Sequence, residues 1–268
     1  MLELVRLEIR RALFERNQAE ERAKEGNPSG LLAVDRMSQS GKCVRKRWAD
    51  VRGIPIDHGC SLRPETLAIF RLGHVIEKEV VELLTLAGYE VTDTQRVVGV
   101  DRWIGHIDGI IRIGGRLLLL EIKSAKAKKF EELEQIGDYS RWNSAYAAQI
   151  QAYLGALPDE ISGALVVVYN KDNSELYTEY VAENRFAFED LKAESRIVTE
   201  SPTVPDRPKK ASRTGRTPPL YCGYCERFGC DPTSTGTAPK HSTGSATDTH
   251  RASRRRPQAC QAAAGDGG

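Results

Sequence analysis

Two short segments carry residue types that could do chemistry together: Gly105-His106-Ile107-Asp108-Gly109 and Leu120-Glu121-Ile122-Lys123-Ser124. Side chains alternate faces along a strand, so Glu121 and Lys123 share one face, Leu120 and Ile122 point to the core, and Asp108 can join from across a hairpin. Two carboxylates a few Å apart repel unless a cation lies between them, and oxygen ligands of this kind suit Mg2+ or Mn2+. Such an ion activates water and stabilises charge on a phosphate, while a neighbouring lysine orients the water or neutralises the developing oxyanion. These are the parts that phosphodiester hydrolysis needs. An ordinary ion pair on a half-exposed sheet would use the same residue types. Gln149 and Tyr153 stand four apart in a helical stretch, so they share a face that could project over the hairpin or pack against another element. His74 offers a neutral nitrogen ligand to the same ion, or serves as a structural histidine.

The elements that must position these residues can be read from periodicity. Residues 1–26 read as an amphipathic helix, with Leu4, Leu7, Ile9, Leu13 and Phe14 among Arg and Glu, ended by Gly26-Asn27-Pro28. A second helix starts near Pro64, carries His74, and stops at Gly88. Strands are expected over 91–100, 104–113 and 116–124, with Gly114-Gly115 as a tight connection between the last two. Helical stretches follow over 126–139 and 142–157, then β-rich runs over 164–169 and 176–181, then a helix over 184–198. Residues 201–219 have linker composition, rich in Pro, Lys and Arg. Residues 231–268 contain no Leu, Ile, Val, Phe, Trp or Tyr and are expected to form a disordered low-complexity tail.

The 268 residues are 40% hydrophobic and 28% charged, enough for a real core. A net charge of +2 gives no sign of wholesale binding to nucleic acid or to an acidic membrane, so any basic surface must be local. No apolar run approaches the roughly 20 residues of a membrane span, and the first residues are charged throughout, so the expectation is a soluble, cytoplasmic protein. Six cysteines, Cys43, Cys60, Cys222, Cys225, Cys230 and Cys260, are too clustered for a disulfide framework and point to metal or cluster ligation. Cys222, Cys225 and Cys230 are compatible with tetrahedral Zn2+ as well as with iron-sulfur ligation. Lys126, Lys128, Lys129 and Arg141-Trp142, with Tyr139 and Tyr146, supply cationic and stacking groups suited to unpaired bases, or form a solvated turn and a packed tryptophan.

In this order of residues the chain resembles the PD-(D/E)XK nuclease superfamily, in its RecB-like branch. The matching positions are His74 in the Gly73-His74 helix, Asp108 in Gly105-His106-Ile107-Asp108-Gly109, Glu121-Ile122-Lys123, and Gln149 with Tyr153. The cysteines resemble those of the iron-sulfur exonucleases of CRISPR adaptation and phages. By that resemblance Cys43, Cys222, Cys225 and Cys230 would hold a 4Fe-4S cluster, with Zn2+ as the alternative, and Cys60 and Cys260 would be spare. The spacing from Cys225 to Cys230 is slightly shorter than the family's, and Gly229 lets the backbone turn.

The resemblance implies an α/β restriction-endonuclease-like core, a mixed β-sheet flanked by helices, with the four-Cys cluster joining N- and C-terminal segments. It divides the chain into a helical segment over 1–40, the nuclease domain over 41–230 and the tail over 231–268. The implied activity is Mg2+- or Mn2+-dependent exonucleolytic hydrolysis of DNA, single-stranded or with free ends, alongside a helicase or CRISPR-adaptation partner. An endonuclease of the same fold and a non-catalytic DNA-binding module are the rival expectations. In the carried-over roles, Asp108 and Glu121 bind the metal with His74 and the Ile122 carbonyl, Lys123 positions the attacking water, and Gln149 with Tyr153 braces the site or the strand.

Overall fold

A computed structural model describes residues 34–54, 64–161 and 163–206, together with Val5, Glu8, Arg11, Ala12 and Glu15, which are helical and exposed. Cys60, Cys222, Cys225, Cys230 and Cys260 and the expected tail lie outside the described residues.

The longest strand organises the structure. Residues 117–120 are four consecutive leucines, and such a run must be covered on both faces. It lies in β6 (Arg116–Ala125), the centre of a five-stranded mixed sheet of order β2-β5-β6-β7-β8, with β2 (Glu90–Thr92), β5 (Gly109–Ile113), β7 (Gly163–Asn170) and β8 (Leu176–Ala182). The β6–β7 pair is parallel and the other pairs are antiparallel. Gly114 and Gly115, at φ 56° and 81°, take the left-handed conformations that a two-residue hairpin turn between β5 and β6 requires. A second sheet, of order β1-β4-β3, comprises β1 (Asp35–Arg36), β3 (Val97–Val100) and β4 (Trp103–His106).

Helices cover the main sheet on both sides. Ile76 and Val80 of α2 (Pro64–Leu86) pack on Ile111, Leu118, Leu120, Ile122 and Val167. The larger core lies on the opposite face, where Ile150, Tyr153 and Leu154 of α5 (Ser144–Leu154) meet Leu119, Ala164, Val166 and Val168. Between β6 and β7 run α3 (Ala127–Ile136), the short α4 (Tyr139–Trp142) and α5, so the parallel pair is joined by a helical crossover. The α5 turn begins at Asn143, whose Oδ1 accepts from the amides of Ala145 and Tyr146. Two further helices, α1 (Val44–Val51) and α6 (Arg185–Glu200), pack on each other.

Two expectations are corrected. The run 91–100 is β2 and β3 in different sheets, separated by Asp93 and Gln95 at φ 53° and 59°. The run 104–113 is likewise split into β4 and β5 at Ile107-Asp108, so Asp108 lies in the gap between sheets and not within a hairpin strand. The structure also adds α1, which the sequence pattern does not announce, and pairs β1 with β4, where Asp35 and Met37 are buried while Arg36 and Ser38 are exposed. Among the described residues no helix is long and apolar enough to cross a membrane.

Candidate active site

The gap between β4 and β5 determines where Asp108 points. Its Oδ2 accepts the Ile122 amide at 2.7 Å, a bond across the end of the β5–β6 pair that ties the carboxylate to the strand carrying Glu121 and Lys123. Glu121 has no exposed surface. One of its oxygens, Oε1, accepts from Lys123 Nζ, while Oε2 is buried without a hydrogen-bond partner. The lysine also approaches the Ile122 carbonyl at 3.5 Å and sits 5.4 Å from the centre of the Tyr146 ring.

The electrostatics follow from this crowding. Burial, then the neighbouring Glu121 charge, pushes the Asp108 carboxyl up to about 8, against the opposing pull of Lys123 and the Ile122 amide. Burial works against the Lys123 charge, but Glu121 and Asp108 outweigh it and hold the ammonium firmly protonated. Tyr153 is shifted upward by burial and by Glu121, so its phenol stays neutral.

Gln149 and Tyr153 share the buried face of α5, and Gln149 Nε2 donates to the Tyr153 hydroxyl at 3.2 Å. Room for that ring comes from Gly105 on β4: a Cβ there would lie 2.4 Å from Tyr153 Cε1 and 3.0 Å from Met37 Cβ. Asp108, Ile122, Lys123, Gln149 and Tyr153 all line one open cleft of about 740 Å³. His74 lines it too, but at its edge; its side chain is 74% exposed, with Nδ1 3.6 Å from Glu77 Oε2.

Glu77, which the sequence pattern does not single out, sits deeper on the same helix. It lines the cleft, accepts from Gln95 Nε2, and adds to the negative charge felt by Asp108. The signal available for it was position: it lies three residues after His74, beside Ile76, on the side of α2 that turns toward the sheet.

The donor set is acidic oxygen plus one carbonyl, and Glu121 Oε2 is left without a proton donor. That combination fits an oxygen-seeking divalent cation. Among the described residues no three His, Cys, Asp or Glu side chains converge as a self-sufficient metal site. An ion here would therefore complete its shell from the Ile122 carbonyl, water and substrate oxygens, as Mg2+ commonly does.

Cys43 is buried at the start of α1 and forms no disulfide among the described residues. The chain after α6 returns to this helix: Pro205 O accepts from Arg45 Nη1 at 3.0 Å, and Ser201 O accepts from Trp48 Nε1 at 2.9 Å.

No family model and no curated protein matches the chain. Among solved structures it is similar to an alkaline exonuclease from Laribacter hongkongensis, at 14% identity and a TM-score of 0.46, over 63% of this chain and 88% of that one. The same exonuclease in complex with dAMP matches at 13% identity and a TM-score of 0.42, over 62% and 86% of the two chains. A phage-related exonuclease from Haemophilus somnus 129PT matches at 13% identity and a TM-score of 0.36, over 62% and 92%.

Proposed function

We propose that the protein is a Mg2+- or Mn2+-dependent exonuclease that hydrolyses DNA phosphodiester bonds at free ends or in single strands. The observation that carries this reading is Asp108 and Lys123 lining an open cleft, with Glu121 buried against the lysine and one of its carboxylate oxygens unpartnered. Exonucleolytic action follows the resemblance to RecB-like iron-sulfur exonucleases, as do the recombination, repair, phage or CRISPR settings and a helicase or adaptation partner.

Asp108 and Glu121, with the Ile122 carbonyl, would hold the cation, its shell completed by water and substrate oxygens; the resemblance adds His74, which stands at the edge of the cleft. Bound there, it supplies positive charge where the attacked phosphate gains negative charge. In the cation-free protein Glu121 and Asp108 hold Lys123 protonated, so there it is a donor. It orients the oxygen of the attacking water and neutralises charge on the phosphate. The Gln149–Tyr153 pair keeps the wall beside Lys123 fixed. The Cys43 thiol, with Cys222, Cys225 and Cys230, would hold a 4Fe-4S cluster or Zn2+ as a structural clasp; what supports this is that residues 201–205 dock on the helix that Cys43 begins.

The test is incubation of anaerobically purified protein with end-labelled linear DNA and with covalently closed circles, with and without Mn2+. The expected result is cation-dependent loss of linear DNA from its ends, intact circles, and no cleavage by Glu121→Gln. Prompt linearisation of circles establishes an endonuclease instead, and wild-type cleavage by Glu121→Gln removes this site.

A further inference from the structure

Lys171 lines the same cleft as Asp108 and Lys123, and among the described residues it has no carboxylate partner. It is half-buried, and its place is fixed by its surroundings. Its own amide donates to Ala125 O at 2.8 Å, which joins it to the end of β6. The preceding Asn170 is buried, and its Oδ1 accepts from the Asp172 amide at 3.1 Å. The Ser174 amide closes the turn onto Asn170 O at 2.9 Å. The adjacent acid is engaged elsewhere: Asp172 Oδ2 accepts from the Ala127 amide at 2.8 Å, at the start of α3. A rigid turn thus presents a cation to the cleft and directs the neighbouring carboxylate to another task.

The register places this cation relative to the chemistry. Lys123 pairs with Val168 across the parallel β6–β7 ladder, and Ser124 with Tyr169. Lys171 stands three residues beyond Val168, on the order of 10 Å along the strand. That offset suits a contact to the linkage next to the one Lys123 serves. Ser124, half-buried, lines the cleft as well and pairs with Tyr169, two residues before Lys171. Both groups lie at the carboxyl ends of the parallel pair, where sheets of this kind receive ligands.

We propose that Lys171, with the Ser124 hydroxyl, grips a backbone phosphate flanking the scissile one and so holds the strand in register with Lys123. This rests on the nuclease reading above. A lysine contact to one phosphate carries no base preference and contributes about one released counterion to binding.

The experiment compares wild type, Lys171→Ala, Lys171→Arg and Arg116→Ala on linear single-stranded oligonucleotides with Mn2+. Arg116 is an exposed cation at the opposite end of β6 and serves as the control. Lys171→Ala should raise KM about tenfold, with a much smaller change in kcat, and lower the salt dependence of binding by about one counterion. Arginine at 171 should restore most of the affinity. On substrates with one neutral methylphosphonate linkage beside the cleavage position, one of the two sides should weaken wild type by a similar factor and leave Lys171→Ala no worse. Wild-type KM and salt slope in Lys171→Ala, or fully additive losses on both sides, overturn the phosphate contact while leaving the nuclease reading standing. A wild-type protein that cleaves no DNA under any condition overturns both.

Discussion

Glu121 keeps one oxygen in a bond with Lys123 and leaves the other buried without a donor, an arrangement that costs free energy unless a cation is supplied. Replacement by the isosteric glutamine keeps the shape and removes the charge. Glu121→Gln should fold, lose Mn2+ binding by calorimetry, and cleave at least two orders of magnitude more slowly. Asp108 adds a pH signature. Its folded pKa of about 8 lies above the ordinary 3.8, so in the cation-free protein this group binds more protons folded than unfolded over that interval. Its contribution to stability is therefore largest at low pH and is lost as pH rises toward 8. Metal-free protein should melt lower at pH 8 than at pH 5 by more than Asp108→Asn does, and Mn2+ should restore the difference most at the alkaline end, as read by melting curves. A wild-type pH profile parallel to that of Asp108→Asn would remove the repulsion argument. Lys123→Ala should instead bind Mn2+ nearly normally and cleave poorly.

Much of the architecture could be read from local pattern, and most of the failures have a common physical source. The helix from Pro64 and the Gly114-Gly115 turn were legible because proline at a first turn and paired glycines at positive φ are local requirements. The break at 93–96 had a local signal in four consecutive polar residues, Asp93-Thr94-Gln95-Arg96, that a single-strand reading passes over, whereas at Ile107-Asp108 apolar residues stand close on both sides and only the pairing of distant strands separates the sheets. Helix α1 was hidden for a related reason: Arg47 is buried in it because Asp35, on β1, pairs with it, a partner that no local periodicity supplies. At the site, Asp108, Glu121, Lys123, Gln149 and Tyr153 were legible as a set of types and spacings, whereas Glu77 was one glutamate among several on α2. The same interlocking of elements makes Gly105 a sensitive position. Gly105→Ala forces a methyl into Tyr153 and Met37, so it should cost about 1–3 kcal/mol and reduce cleavage together with stability. Tyr153→Phe, which loses only the hydroxyl that accepts from Gln149, should melt near wild type and lose activity severalfold. A fully stable Gly105→Ala would show that the α5–β4 contact is looser than drawn.

At the scale of the whole chain, the two ends of the described core are fastened at α1. Arg52 donates to Val198 O at 2.8 Å and to Ser201 O at 2.6 Å and lies over the Trp48 ring, whose Nε1 also reaches Ser201 O. Pro205 is held by Arg45, two residues from buried Cys43, and Cys222 follows 17 residues later in the sequence. A linker of that length reaches far more than the distance it must return, so the geometry of the clasp allows Cys222, Cys225 and Cys230 to meet Cys43. Closing the chain from Cys43 to that trio would restrict the unfolded ensemble more than the hydrogen bonds alone do. The expected outcome is that Cys43→Ser and Cys222→Ser each release the bound metal and lower the melting temperature by similar amounts, and that the double variant is little worse than either single one, because the residues act as one unit. Cys60→Ser and Cys260→Ser should change neither. Elemental analysis of anaerobically prepared protein separates iron from zinc, and additive losses in the Cys43/Cys222 pair, or wild-type metal content in either variant, would dissolve the clasp and leave Cys43 as a buried thiol beside a hydrogen-bonded strap.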